Sequence, residues 1–301
     1  MTFGIVGNTS KPVTREVLGT LIGYCSAKRI SFRVHETLGA WINAESGENV
    51  IDRSAMLGTQ DLTSASDCII ALGGDGTMLA TARMIAGADV PLLGINLGKL
   101  GFLAEVSVEE MLECLDEIRS GHYIVEERTA ITATADRAAK TYFALNEIVV
   151  DRGASPRVIE LETYVNDDFL VTYAADGIIV TTPTGSTAYS LASGGPIVAP
   201  GSAVLTVNPI SPHTLTARPV IVPDVSTIKV VVHASPTDVH LTADGQDEGF
   251  YETPATFLIR KAPRSVKLVK RKSSHYFDLL RTKLLWGKDL RVGESKSGTE
   301  G

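Results

Sequence analysis

The sequence predicts a two-domain protein: an α/β N-terminal domain, with a mostly parallel sheet and flanking helices, and an all-β sandwich C-terminal domain. The chain has 301 residues, which is enough for about two domains. The first part alternates strand-like and helix-like segments, and that alternation is typical of a parallel sheet covered by helices. From Tyr123 onward, short strand-like segments follow one another between turn residues, which is typical of a sandwich.

The first domain is predicted to span residues 1–122. Its helix over 107–121 has the clearest signals, because Ser107 and Glu110 have the spacing of a capping box and Gly121 supplies a stop. An apolar face of helical period lies between these signals. The other strands are predicted at residues 3–6, 31–34, 67–72 and 91–95, and the other helices at 13–27 and 78–85.

The second domain is predicted to span residues 123–274. Its strands are predicted at residues 130–134, 142–150, 158–165, 169–173, 178–180, 204–207, 220–222, 228–232, 239–242, 256–259 and 266–269. A helix at about 275–290, with Phe277, Leu280 and Leu284 on one face, is expected to pack back on the first domain and complete it. The polar tail 293–301 is predicted to be disordered.

Composition excludes several classes of protein. A net charge of −7 argues against a sequence-independent nucleic-acid binder, which requires a basic face. The 3 cysteines are widely spaced, so neither a disulfide framework nor a zinc site is indicated. No signal peptide and no membrane-spanning segment is recognised. We therefore expect a cytoplasmic protein with no nucleic-acid or membrane partner.

A glycine-rich turn, Gly73-Gly74-Asp75-Gly76-Thr77, follows the apolar run 68–72. Ligands bind at the carboxyl ends of strands in an open α/β sheet, where glycine N–H groups and a helix start favour phosphate. A carboxylate at such a turn is repelled by phosphate unless it holds a metal ion or takes a proton from a hydroxyl group. Asp75 therefore indicates phosphoryl transfer to an alcohol. Alternatively, Asp75 could serve as the N-cap of the following helix.

A second motif lies in the predicted sandwich. The segment 176–190, DGIIVTTPTGSTAYS, runs from a strand into a turn rich in hydroxyl groups, which suits the polar groups of a nucleotide. Upstream, Asn146 and Glu147 place a carboxamide beside a carboxylate, and these could pair with an adenine edge and with ribose hydroxyls. By themselves, the segment could be an ordinary Thr/Ser-rich turn, and the pair could be exposed polar residues.

The order of these motifs along the chain resembles that of the NAD kinase family of the bacterial type. The resemblance includes the glycine-rich turn, the segment 96–103, the pair Asn146-Glu147, the segment 176–190 and Asp244-Gly245-Gln246. It implies phosphorylation of the 2′-hydroxyl of the adenosine ribose of NAD, with ATP or polyphosphate as donor and a divalent cation, expected to be Mg²⁺. It also implies a homodimer or homotetramer whose sites are completed across the subunit interface.

The resemblance further implies roles for individual residues. Asp75 is expected to be the general base for the ribose hydroxyl, because a carboxylate within hydrogen-bond reach can accept its proton. Glu147 is expected on the ribose, and no residue is assigned to a metal. The phosphate-binding residues are expected to be Gly73, Gly74, Gly76 and Thr77. The remaining nucleotide-binding residues are expected to be Phe102, Asn146, Arg157, Asp176, Thr184, Thr187, Ala188, Tyr189, Ser190, Ala192, Asp244 and Gln246.

The chain departs from the family pattern at three positions. Ala192 stands where a serine is common, and Ala80 and Ala174 stand where basic residues are common. Phosphate charge would then be neutralised from elsewhere, and the candidates are Lys99, Arg83 and Arg157, although Arg83 could be a solvated helix residue and Arg157 a surface charge.

Other functions remain open on sequence alone. A kinase of a lipid or sugar acceptor could use the same glycine-rich turn, and a non-catalytic dinucleotide-binding protein could use the same polar motifs. A dehydrogenase is disfavoured because no G-x-G-x-x-G opens a helix early in the chain, and a P-loop enzyme because no G-x-x-x-x-G-K-[ST] occurs.

Overall fold

The computed structural model of the chain describes residues 1–136, 139–233 and 238–286. The strands are β1 (Thr2–Gly7), β2 (Ser31–His35), β3 (Met56–Leu57), β4 (Cys68–Gly73), β5 (Leu92–Asn96), β6 (Val106–Ser107), β7 (Tyr123–Arg128), β8 (Ile131–Ala135), β9 (Thr141–Ala144), β10 (Glu147–Asp151), β11 (Ile159–Val165), β12 (Asp168–Ala175), β13 (Gly177–Thr181), β14 (Val204–Ile210), β15 (Val220–Pro223), β16 (Ile228–His233), β17 (Val239–Ala243), β18 (Asp247–Tyr251), β19 (Ala255–Lys261) and β20 (Val266–Arg271). The helices are α1 (Val13–Lys28), α2 (Glu36–Ser46), α3 (Thr59–Ala65), α4 (Asp75–Met84), α5 (Met111–Arg119), α6 (Tyr189–Ala192) and α7 (Tyr276–Leu284).

The first sheet has the order β3-β2-β1-β4-β5-β20-β7, with β6 paired to β5. Its strands are parallel except for the antiparallel pair of β20 and β7. Along the chain, β1 to β3 proceed in one direction across the sheet and β4 to β5 in the other. The direction reverses between β1 and β4, and the crevice outside the carboxyl ends of two such strands is where ligands bind in open α/β sheets.

Two antiparallel six-stranded sheets form the sandwich. Their orders are β15-β14-β13-β10-β17-β18 and β12-β11-β16-β19-β8-β9. Alternate side chains of the two inner faces meet in one apolar core, which includes Leu161, Ile178 and Phe257. The architecture predicted from the sequence, an α/β domain followed by a β-sandwich, is thereby confirmed.

The first domain includes two strands that lie beyond its predicted boundary at residue 122. Strands β7 and β20 lie within the range 123–274 predicted for the sandwich, yet both pair with the first sheet. The helix α7 then follows β20 directly. The predicted helix continued to about 290 and the predicted disordered tail covered 293–301; residues beyond 286 lie outside the described part of the chain.

Local signals positioned most elements of the first domain. Ser107 and Glu110 form the predicted capping box, with each backbone N–H bonded to the other side chain at 3.3 Å. The helix predicted over 78–85 begins earlier, at Asp75. Sequence reasoning missed α2 and α3. Within the described ranges, no helix has the length and apolar character needed to cross a bilayer.

Candidate active site

The glycine-rich turn connects β4 to α4, as the sequence predicted. The N-cap position of α4 is Gly74, and no side chain caps this end of the helix. The carboxylate of Asp75 instead accepts hydrogen bonds from a loop 27–29 residues further on. Its Oδ2 accepts from the N–H of Phe102 at 2.8 Å, and its Oδ1 accepts from Leu103 and Ala104, each at 3.0 Å. The alternative that Asp75 serves as the helix N-cap is therefore wrong.

The loop that holds Asp75 is itself tightly fixed. The Asn96 side chain donates to the carbonyl oxygens of Lys99 and Ala104, at 2.8 and 3.1 Å, and accepts from the N–H of Gly98 at 2.8 Å. Gly101 packs directly on the carboxylate, because a Cβ built there would stand 1.8 Å from Asp75 Oδ1. The loop thus fixes the orientation of Asp75 and leaves it partly accessible.

The hydrogen bonds of Asp75 leave it one acceptor position. A carboxylate offers about four lone-pair sites on its two oxygens. The loop uses two on Oδ1 and one on Oδ2. The remaining lone pair on Oδ2 can accept a hydrogen bond from a hydroxyl group of a ligand.

The prediction of a single strand over residues 142–150 is wrong. Two strands, β9 and β10, take its place and belong to different sheets. The chain turns between them because Asp244 accepts hydrogen bonds from three consecutive backbone N–H groups: Leu145 at 2.9 Å, Asn146 at 2.7 Å and Glu147 at 3.2 Å. Asp244, predicted to bind the nucleotide, is buried here and orients the pair Asn146-Glu147.

The hydroxyl-rich segment after β13 docks on this turn. The hydroxyls of Thr181 and Thr182 donate to the carbonyl oxygens of Asn146 and Leu145, at 3.0 and 2.6 Å. Gly185 permits the contact, because a Cβ there would lie 2.3 Å from the Asn146 carbonyl oxygen. The structure therefore brings together two motifs that lie about 35 residues apart in sequence.

Two polar atoms of this junction are buried without a hydrogen-bond partner, Glu147 Oε2 and Thr184 Oγ1. Buried polar atoms are rarely left unpaired, because each unmade hydrogen bond costs about 1–3 kcal/mol. Burial raises the pKa of Glu147 to about 8, and the negative charge of Asp244 adds to this effect. Both residues were predicted to bind the nucleotide, and a polar ligand would supply the missing partners.

The end of the hydroxyl-rich segment is more open. Thr187 and Ala188 are partly exposed, and Tyr189 is 46% exposed, which leaves its ring available for stacking. Partial burial raises the pKa of Tyr189, and the nearby charges of Asp151 and Asp176 raise it further. Asp176 also pairs with Arg152, whose Nε lies 2.7 Å from its Oδ1.

Two more predicted residues lie on the short helix α6. Ser190 is fully buried, and its Oγ accepts from Asn208 at 3.3 Å, so it supports the segment from the protein side. Ala192 is exposed.

Gln246 links the two domains next to the glycine-rich turn. Its side-chain amide donates to the carbonyl oxygen of Gly76 at 2.8 Å, and its Oε1 accepts from Arg83 Nη2 at 3.2 Å. Arg83, considered as a phosphate ligand or a solvated residue, thus contacts the sandwich, and its charge lowers the pKa of Asp244 in opposition to burial. Arg157 and Lys99 lie on exposed segments.

A cavity of about 600 Å³ opens at the reversal point of the first sheet, and sequence reasoning missed part of its wall. One side is formed by the turn after β4 and by α4, including Gly74, Gly76, Thr77 and Ala80. The other side is formed by Gly7, Asn8, Thr9 and Lys11. These residues are the last residue of β1 and the segment that follows it, so the signal that could have found them was a polar segment at the carboxyl end of the first strand.

Two family models match the chain. The ATP-NAD kinase N-terminal domain matches residues 3–123, and the ATP-NAD kinase C-terminal domain matches residues 145–271. The NAD kinase of Moorella thermoacetica is 39% identical over 302 aligned residues, which cover 98% of this chain and 93% of that protein. The NAD kinase of Bacteroides fragilis is 44% identical over 229 aligned residues, covering 75% of this chain and 79% of that protein.

Solved structures share the fold. Yeast NADH kinase, crystallised with NADH, aligns with a TM-score of 0.86 and 26% identity, covering 98% of this chain and 90% of that one. An NAD kinase from Archaeoglobus fulgidus in complex with ATP aligns with a TM-score of 0.75 and 22% identity, covering 95% of this chain and 99% of that one. The second likeness concerns the fold alone.

Proposed function

The chain belongs to the NAD kinase family, and we propose that it transfers a phosphoryl group from ATP to the 2′-hydroxyl of the adenosine ribose of NAD, making NADP. The observation that carries this proposal is the setting of Asp75. The flanking residues Gly74 and Gly76 line the large cavity, and Gln246 ties Gly76 to the turn that orients Asn146 and Glu147. The turn that carries Asp75 thus lies between a cavity of about 600 Å³ and the polar junction of the sandwich.

On the acceptor side, the ribose hydroxyl would donate its hydrogen bond to the free lone pair of Asp75 Oδ2. As the hydroxyl oxygen bonds to the γ-phosphorus, its proton passes to the carboxylate, and the bond from phosphorus to the β-phosphate oxygen breaks to release ADP. Asn146 and Thr184 would contact the adenine edge, and Glu147 the ribose. The unpaired atoms of Glu147 and Thr184 support this placement.

On the donor side, the triphosphate would occupy the cavity beside the turn after β4. The start of α4 favours negative charge there, since its first N–H groups lack a side-chain cap. Mg²⁺ prefers oxygen ligands and binds through substrate phosphates plus one or two protein groups. The hydroxyls of Thr9 and Thr77, which line the cavity, fit such an ion, which would neutralise phosphate charge when bound.

We also propose a cytoplasmic enzyme that forms a homodimer or homotetramer with sites completed across the interface. Cys25, Cys68 and Cys114 are free thiols, which suits a reducing compartment. Leu215 is 95% exposed, on a segment whose His213 bonds to Ala174, two residues before Asp176. A second subunit that covered this leucine would lie next to Asp176.

The activity is tested by incubating the protein with NAD, ATP and Mg²⁺ and measuring NADP. We expect NADP from the wild type and a loss of turnover of roughly 10²–10⁴-fold in Asp75→Asn, because an amide cannot take the proton. The affinity for NAD, measured by calorimetry, is expected to stay largely intact. Normal turnover by Asp75→Asn would refute the general-base role, whereas failure of the wild type to make NADP would refute the function itself. Polyphosphate in place of ATP tests the alternative donor.

A further inference from the structure

We propose that Lys11 binds the phosphate chain of the donor and neutralises its charge during transfer. This inference rests on the proposed function, because it assigns a residue that binds the phosphoryl donor in the cavity beside the glycine-rich turn. The lysine follows β1, on the wall of the cavity opposite the glycine-rich turn.

The position of Lys11 gives it access to the phosphates. Its side chain lines the same cavity as Gly74, Gly76 and Thr77, which form the start of α4. Its Nζ lies 3.4 Å from the point where a Cβ on Gly98 would stand, so the ammonium group reaches the loop that also holds Asp75. The lysine therefore spans from the donor cavity to the catalytic loop.

A positively charged side chain in the cavity would neutralise the phosphate charge that a bound Mg²⁺ leaves unbalanced. Among the described residues that line the cavity, Lys11 is the only one with a charged side chain. The start of a helix supplies only about half a positive charge, whereas a triphosphate carries several negative charges. The other basic candidates do not line the cavity: Arg83 is bonded to Gln246, and Lys99 and Arg157 are on exposed segments.

Ala80 offers an independent check of this argument. It lies on α4 and lines the cavity with Lys11, so a lysine introduced there would return a positive charge to the cavity from the opposite wall. If charge is what the donor needs, the position of the cation can change while its function is retained.

The recognition should depend on phosphate and be independent of the nucleoside. An ammonium group is a compact charge that bonds to phosphate oxygens. Loss of Lys11 should therefore weaken the binding of ATP and the binding of inorganic tripolyphosphate by a similar factor. A lysine that contacted the base or ribose of ATP would affect ATP alone.

The experiment compares Lys11→Ala, Lys11→Arg and the double variant Lys11→Ala/Ala80→Lys with the wild type. We expect Lys11→Ala to raise the KM for ATP by about tenfold or more, since a hydrogen bond to a charged group contributes about that factor. The inhibition constant of tripolyphosphate against ATP should rise equally, and the KM for NAD should stay within about twofold. Lys11→Arg and the double variant should recover much of the loss. Lys28→Ala, at the exposed end of α1, controls for the loss of a surface charge.

Three results would overturn the assignment: an unchanged KM for ATP in Lys11→Ala, an effect on ATP without one on tripolyphosphate, or a double variant that remains at the Lys11→Ala value. A rise in the KM for ATP and the KM for NAD together, with a lowered melting temperature, would also overturn it. Activity of the wild type tests the proposed function separately, so failure of one proposal can be distinguished from failure of the other.

Discussion

Glu147 and Asp244 place two carboxyl groups in the interior of the sandwich, where burial raises the pKa of both. Three backbone N–H groups and the charge of Arg83 act in the opposite direction on Asp244. Glu147 has no such donors at its Oε2, and its pKa reaches about 8. Near pH 7 the carboxyl group of Glu147 therefore retains its proton, so in the unliganded protein it can donate a hydrogen bond as well as accept one.

The raised pKa of Glu147 predicts a pH dependence of folding stability. The folded protein holds this proton more tightly than the unfolded chain, whose glutamates titrate near 4.5. The stabilising contribution is therefore complete below about pH 4.5 and is lost as the pH rises towards 8. Glu147→Gln has no proton to lose, so its free energy of unfolding relative to the wild type should increase between pH 5 and 8.5, by an amount on the order of a few kcal/mol. Urea unfolding at a series of pH values measures this difference.

A matched control is Glu16→Gln, which removes one negative charge from the exposed face of α1. It should keep the pH profile of the wild type, and so separates burial from the change in net charge. The explanation would be incorrect if Glu147→Gln and the wild type lost stability in parallel over this pH interval.

At the level of residues, motifs could be predicted but partners could not. Asp75 and Thr184 belong to short motifs that are read directly from the sequence. The three N–H groups that hold Asp75 come from a loop 27–29 residues away, and those that hold Asp244 come from a strand end 97–99 residues away. Such long-range hydrogen bonds leave no local pattern. The polar segment that contains Lys11 was missed because it lines the same cavity as the glycine-rich turn only when β1 and β4 are neighbours in the sheet.

The loop over residues 96–105 is the element that positions the carboxylate of Asp75, the proposed general base. Its outer end is held by the C-terminal part of the chain: Glu105 pairs with buried Lys270 and accepts from Ser274, and Lys283 lies over the ring of Phe102 at 5.8 Å. Strand β20 thus contacts the loop at Glu105, and α7 contacts it at Phe102. These two elements therefore support the loop geometry that orients Asp75.

Gly101→Ala tests the importance of this loop. The new Cβ would stand 1.8 Å from Asp75 Oδ1, so either the carboxylate or the loop must move and the three N–H bonds weaken. We expect kcat to fall by about tenfold or more and the free energy of unfolding to fall by about 1–3 kcal/mol. Steady-state kinetics and urea unfolding measure the two effects. An unchanged kcat would mean that the turnover does not require the carboxylate position that the loop imposes.

Gly23→Ala is the matched control. It makes the same substitution on α1, where no atom lies within 4 Å of the added carbon. An alanine within a helix is favoured over glycine by about 0.5–1 kcal/mol, so this variant should gain stability and keep the kcat of the wild type.

Elements were predictable where local periodicity decides them. The capping box and the apolar face of α5 determine that helix, and alternating burial determines strands such as β11 and β16. The apolar run over 142–150 reads as one strand because Leu145 is buried like its neighbours. The groups that hold the turn there, the carboxylate of Asp244 and the hydroxyls of Thr181 and Thr182, lie far along the chain. The helix α2 was missed because its N-cap is His35 and not one of the usual small polar residues.

The whole molecule combines two domains around a shared apolar cluster. Met78 and Leu79 of α4 pack in one buried cluster with Leu145, Ala130 and Ala262, which come from the sandwich side. The chain also passes between the two domains at β7 and at β20, and Gln246 of the sandwich domain donates a hydrogen bond to Gly76 of the first domain. Independent domain motion is usual when an interface is small and polar, but a buried apolar interface opposes it. The two domains are therefore expected to unfold together.

This coupling predicts that a destabilising substitution in the core of one domain also lowers the stability of the other domain. Leu161 is fully buried in the sandwich core, and Leu21 is fully buried under the first sheet. Either leucine changed to alanine should cost about 2–5 kcal/mol. If unfolding is shared, Leu161→Ala should lower the hydrogen-exchange protection of β4 as much as that of β11. Leu21→Ala should likewise lower the protection of β11 as much as that of β4. Denaturant-dependent hydrogen exchange with mass spectrometry reports both strands in one sample. Protection of β4 that stayed at the wild-type value in Leu161→Ala would show that the domains open separately; equal losses would mean that the site between them is held by the stability of the whole chain.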